Sequence, residues 1–191
     1  LRAYLIDQPL TDVLSWRETS TAMVAASYYR QGLNIMYPDV SSNGPAFSYQ
    51  PGALPTISYL AALAYMLVGE HDWVGRGLAM LAGLWSIFAL FQLVRRVWDE
   101  PHALAAAAML ALLPGAVLID RSFLPEPVAL ALSAACLWMF AAYYQSERRR
   151  YLLLGCLAGA LGFLTSFPSL VVVRALIYAF WGLRDRGAVE S

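Results

Sequence analysis

Long apolar runs separated by short polar connectors dominate the second half of this chain, and the first fifty residues break that pattern. Residues 1–14 (LRAYLIDQPLTDVL) are mixed and contain Pro9, which reads as a loop. From Ser15 the pattern turns helical: Ala22, Ala25, Ala26 and Tyr29 recur at helical spacing, against Arg17, Thr21 and Arg30 elsewhere. Such a segment suits a helix lying on a membrane surface. Ser15 followed by Glu18 has capping-box spacing, and Gly32 is a natural stop. Residues 38–52 (PDVSSNGPAFSYQPG) are turn-rich and polar, hence a loop.

Residues 53–69 (ALPTISYLAALAYMLVG) are apolar but short. From Pro55 to Gly69 a helix would be roughly 20 Å long, against a hydrocarbon core of roughly 30 Å. Five later runs, at about 77–94, 103–119, 128–144, 151–166 and 168–183, read as spans. Pro114 is expected to kink the second of them. Gly155-x-x-x-Gly159 in the fourth permits close helix approach.

Charge decides the topology. Arg95–Arg96, then Arg148–Arg149–Arg150, then Arg184 and Arg186 follow the first, third and fifth runs, whereas DRSFLPEP (Asp120 to Pro127) and TSFP (Thr165 to Pro168) hold one arginine between them. The positive-inside rule puts the arginine-rich ends in the cytoplasm. Arg76 and everything before it then lie outside, and residues 53–69 form a juxtamembrane or re-entrant helix, since a span there would reverse every later cluster. The fold class expected is therefore an all-α polytopic membrane protein with about five transmembrane helices and two extracytoplasmic juxtamembrane helices. The expected division is an extracytoplasmic region over 1–75, a transmembrane bundle over 76–187 and a cytoplasmic tail over 188–191, in a multi-pass inner (plasma) membrane protein. Leu1 is not an initiator methionine and no signal peptide precedes the first polar segment, so the natural chain is expected to begin upstream, with a further span.

Composition agrees. Hydrophobic residues make up 60% of the 191 and charged ones only 14%, with a mean hydropathy of +0.55, where soluble domains are near a quarter charged. All thirteen basic residues are arginine, which excludes Schiff-base and P-loop lysine chemistry. A net charge of zero and the lack of a basic run with interleaved aromatics exclude nucleic acid as a partner. Cys136 and Cys156 sit in apolar runs and read as packing residues, not as a disulfide or metal site.

Chemistry is confined to the outer polar groups. Asp120 and Glu126 flank Arg121 in one short loop, an arrangement that can take a phosphate beside a base. The alternative is that these are interfacial anchors. Glu18 can act as a base or merely complete its capping box, and Asp12 is freer but unsupported. His71 and Asp72 are too few for a metal site. Arg174, inside the last run, either snorkels outward or meets a phosphate or carboxylate.

The order of WRE–TAMVAASYYRQGLNIMYP, LPTISYLAALAYMLVGEHDWVGR, a span ending in Arg95–Arg96, and DRSFLPEP resembles membrane glycosyltransferases of the C-type fold. Within them it is most similar to the protein-mannosyltransferase-like and aminoarabinose-transferase-like group, glycosyltransferase family 39/83 type, over nearly the whole chain. The resemblance implies an inverting enzyme that moves a sugar from a polyprenyl-phosphate donor to a cell-surface lipid, glycan or protein acceptor on the outer face of the membrane. It implies Glu18, or failing that Asp12, as base, Glu126 orienting donor or acceptor, and Arg76, Arg121 and Arg17 on the donor phosphate. No cofactor is assigned, and a divalent metal stays open. The sequence departs from the family where an acidic pair opens the first juxtamembrane helix, since Arg17 stands for the aspartate. It departs again at Ala53, where an acid is usual, and at Ser166, where a lysine is usual. These departures favour a second reading, a non-catalytic scaffold or lipid-binding member of the same fold. A small transporter is a third, against which stands the lack of an internal repeat.

Overall fold

The computed structural model describes residues 15–32 and 54–166, and all regular structure among them is helical. Seven helices follow one another: α1 (Ser15–Gln31), α2 (Thr56–Val68), α3 (Asp72–Val97), α4 (Glu100–Leu112), α5 (Pro114–Asp120), α6 (Glu126–Ser146) and α7 (Arg149–Thr165). The fold is an all-α membrane architecture. By length and apolar composition α3 and α6 can each cross a bilayer, and α4 with α5 makes a third span if the bent pair counts as one. The 17 residues of α7 cover roughly 25 Å, a little under the hydrocarbon thickness. The fifth predicted span, 168–183, lies outside the described residues, as does Arg174.

Three boundaries differ from the sequence pattern, each for a local reason. First, α3 begins at Asp72, five residues before the predicted span, so Arg76 sits inside the helix. His71 caps it in an extended conformation, and Asp72 in the first turn complements the helix dipole. Second, the run 103–119 is two helices bent by 64°. Pro114 can supply no N–H to the turn before it, and Leu113 is held in the extended region (φ −60°, ψ 117°) that a residue preceding proline prefers. The expected kink is thus a full break. Third, α2 is a 13-residue helix of roughly 20 Å, too short to span alone. It ends at Gly69, whose φ of 92° only glycine adopts at little cost.

Helix α1 buries more than its expected face. Its buried side is Glu18, Val24, Ala25 and Tyr28, packed against α2, while Tyr29 and Trp16 are exposed. The seam runs through Tyr28 as well as Ala22 and Ala25, with the Tyr29 ring edge-on to Tyr65 of α2 at 6.1 Å, and the buried side carries a carboxylate. Ser58 donates to the Thr21 carbonyl (2.9 Å), and the Tyr28 and Tyr59 rings meet edge to face at 5.9 Å, tying α1 to α2. The capping box is also replaced. Ser15 is already helical, and both oxygens of Glu18 are used elsewhere in the fold.

The spans pack through small residues. On α3 the buried positions include Ala79, Gly83, Ser86 and Ala89; on α6 they include Ala129, Ala131, Ala135, Cys136 and Ala142. Such positions let helix backbones approach closely where lipid offers no hydrophobic drive for association. The Gly155-x-x-x-Gly159 pattern works as read: a Cβ on Gly155 would meet Met139 and Phe140, and one on Gly159 would lie 3.0 Å from the Cys136 sulfur. Large apolar side chains, among them Leu81, Leu84, Leu153 and Leu157, point outward. At the end of the bundle that carries Glu147, a two-residue turn joins α6 to α7, with Glu147 left-handed (φ 51°). There Arg96 donates to the Gln145 side-chain oxygen (3.0 Å), and Gln145 returns a bond to the Arg96 carbonyl (2.8 Å).

Candidate functional site

The opposite end of the bundle gathers the starts of α1, α3 and α6, the end of α5 and the loop 121–125. Glu18, 1% exposed, projects from the first turn of α1 into this junction. Its Oε2 accepts from Arg76 Nη2 at 3.2 Å, and its Oε1 accepts from the Phe123 backbone N–H at 2.9 Å. Arg76 is buried as well, so the two charges compensate each other away from water. One residue earlier, Arg17 forms an ion pair with Oε1 of Glu126 in the first turn of α6. Arg17 is half-exposed, and the dipole of α6 adds to the stabilisation of Glu126. The second oxygen of Glu126 is buried without a hydrogen-bond partner.

Two glycines of α3 seat the loop. A Cβ on Gly75 would come within 2.6 Å of three ring carbons of Phe123, and one on Gly83 would come within 2.8 Å of the whole carboxylate of Asp120. Phe123 (1% exposed) belongs to the cluster that joins Ala25, Ile57, Ala61, Tyr65, Val74 and Ala79. Asp120, the last residue of α5, is buried against α3. The start of α2 is held to the end of α7 by the Leu54 N–H on the Leu164 carbonyl (2.6 Å) and by paired hydroxyls of Thr56 and Thr165 (2.7 Å).

The residues singled out in the sequence fall as follows. Glu18, Arg76, Arg17 and Glu126 come together in two ion pairs. Glu126 meets Arg17 and not its loop neighbour Arg121, which caps the C-terminal end of α5 and is half-buried. Asp12 lies outside the described residues. Glu70 is bound bidentately by Arg30, and His71 turns Nδ1 to the Glu70 carbonyl at 2.6 Å. Among the described residues no three His, Cys, Asp or Glu side chains converge as a metal ion would require. The notches at Gly75 and Gly83 were not read from the sequence. Their only trace is a near two-turn spacing on one helix, which ordinary packing also produces.

At this end of the bundle two arginines, Arg17 and Arg76, meet two carboxylates, Glu126 and Glu18. Residues 50–189 match the family model described as dolichyl-phosphate-mannose-protein mannosyltransferase, so the chain belongs to this family of C-type membrane glycosyltransferases. Comparison with curated proteins and with solved structures returned no match. Arg76, Arg121 and Glu126 fall within the matched stretch; Arg17 and Glu18 precede it.

Proposed function

We propose that this end of the bundle faces the extracytoplasmic side and transfers a sugar from a polyprenyl-phosphate donor to a lipid, glycan or protein acceptor at the cell surface. The observation that carries the reading is the Arg17–Glu126 pair, which joins α1 to α6 at a partly open position, with Arg121 five residues before Glu126 in sequence, in a chain of this family. The opposite end holds Arg95, Arg96 and Arg148–Arg150, which supports the orientation.

In this reaction an acceptor hydroxyl oxygen attacks the anomeric carbon. The bond from that carbon to the phosphate oxygen breaks, and its electron pair leaves with the phosphate. Arg17 and Arg121 supply the planar, permanently charged donors that stabilise the growing charge on the leaving group. Glu126, whose side chain is partly exposed beside Arg17, orients the hydroxyl and takes its proton. Asp12, on the chain just before α1, is the second candidate for that role. Glu18 and Arg76 are buried and neutralise one another, so neither is assigned to the substrate.

Purified protein in liposomes with polyprenyl-phosphate hexoses and a panel of acceptors tests the proposal. Transfer is expected in the wild type, a loss of about 100-fold or more in kcat for Glu126→Gln, following the size of general-base effects, and a raised KM for the donor in Arg121→Ala. The missing acid at Ala53 and missing lysine at Ser166 favour the rival reading of a non-catalytic member. That reading is upheld if the wild type binds the lipid phosphate without turnover.

A further inference from the structure

We infer that Glu18 is a positioning residue, not the base: with Arg76 as its counter-ion it pins the Phe123 backbone and so sets the loop that presents Arg121 and Glu126. This deepens the proposed function and rests on it for the reacting role of Glu126.

Three contacts converge on the loop from elements that are distant in sequence. Glu18 Oε1 takes the Phe123 N–H at 2.9 Å, from 105 residues away. The Phe123 ring fills the notch left by the missing side chain of Gly75. Asp120, at the head of the loop, fills the corresponding notch at Gly83. Arg76 directly follows Gly75, so the notch and the counter-ion of Glu18 come from adjacent residues of one helix. A general base needs an open lone pair within reach of the substrate hydroxyl. Glu18 offers none: one oxygen is on a backbone amide, the other on a guanidinium, and the side chain is 1% exposed. A backbone N–H in a buried loop needs an acceptor in any case. Glu18 supplies it, and Arg76 makes the buried carboxylate tolerable.

The test uses the full-length protein in liposomes, with kinetics expressed per folded molecule. In Glu18→Gln/Arg76→Gln the amide oxygen can still accept from Phe123, and the two charges of the Glu18–Arg76 pair are removed together. This variant is expected to keep kcat within about tenfold of wild type, with an unchanged donor KM and an unchanged acid limb in the pH profile, since the titrating group is elsewhere. Glu18→Ala/Arg76→Gln removes the acceptor and is expected to lose at least tenfold more kcat. Gly75→Ala, which leaves both charges in place but unseats the Phe123 ring, is expected to show a matching loss. Hydrogen exchange at the Phe123 amide reads the pin without any turnover: protected in the wild type and the double glutamine variant, fast in the alanine variant. A dead double glutamine variant with its Phe123 amide still protected overturns the inference and returns the base role to Glu18. Equal exchange in all variants overturns it as well. An inactive wild type with the expected exchange pattern refutes the proposed reaction while leaving the pin intact.

Discussion

Gly75→Ala sets two effects of opposite sign against each other. Replacing an interior helical glycine by alanine should stabilise α3 by about 1 kcal/mol. The new methyl, however, lands within 2.6 Å of three carbons of the Phe123 ring, where contact distances begin near 3.4 Å. The ring is 1% exposed and closed in by the cluster around Ala25, Ile57 and Val74, so it cannot simply rotate aside. Overpacking of this kind costs about 1–3 kcal/mol, and if the ring is expelled instead, the loss is ~1.5–3 kcal/mol of burial. A clash of about 2 kcal/mol less the helix gain leaves an expected net loss of about 1 kcal/mol. Phe123→Ala alone should cost about 3–5 kcal/mol. In the double variant the new methyl occupies vacated space, so the two losses should fall short of additivity by about 2 kcal/mol. Unfolding of all four proteins in mixed micelles measures this cycle. A stabilised Gly75→Ala, or strict additivity, refutes the seating of the loop on α3.

Other perturbations probe separate contacts. Glu18→Gln alone breaks the buried Glu18–Arg76 pair and should destabilise the fold by about 3–5 kcal/mol, with Glu18→Gln/Arg76→Gln recovering most of it in the same assay. Gly159→Leu pushes a side chain into Cys136 and should separate α6 from α7, seen as loss of a crosslink engineered between the two helices at their far end, near Gly162 and Leu132. Asp99 is held below the ordinary carboxylate range by the His102 side chain first and the His102 backbone N–H second. Its contribution to the start of α4 is therefore present above its unfolded pKa and lost as pH falls through the lowered folded value. His102→Ala should move the Asp99 titration upward, as read by carbon NMR. Single cysteines at Ser42 and Glu147, in a background lacking Cys136 and Cys156, should react with impermeant reagent from outside and from the cytoplasm respectively; the reverse pattern overturns the proposed orientation.

The helical class and most helix positions were legible because the length and periodicity of apolar runs are local properties of the chain. Pro114 announced a break, and Gly155 and Gly159 announced a close crossing, because each acts on its own turn. What stayed hidden depends on tertiary meetings. Glu18 had a plausible local partner in Ser15, and nothing in the sequence ranks that against an arginine 58 residues away. Arg121 and Glu126 looked like partners because they share a loop, yet Arg17 reaches Glu126 from α1. Tyr29 and Tyr28 differ by one residue, about 100° on a helix, and only packing on α2 decides which of them is buried.

Transfer of a labelled sugar from polyprenyl phosphate by reconstituted protein, wild type against Glu126→Gln, tests the central claim most directly. Robust transfer by the wild type and a loss of about 100-fold or more in a folded Glu126→Gln protein is the predicted result. Equal transfer by both proteins would contradict it.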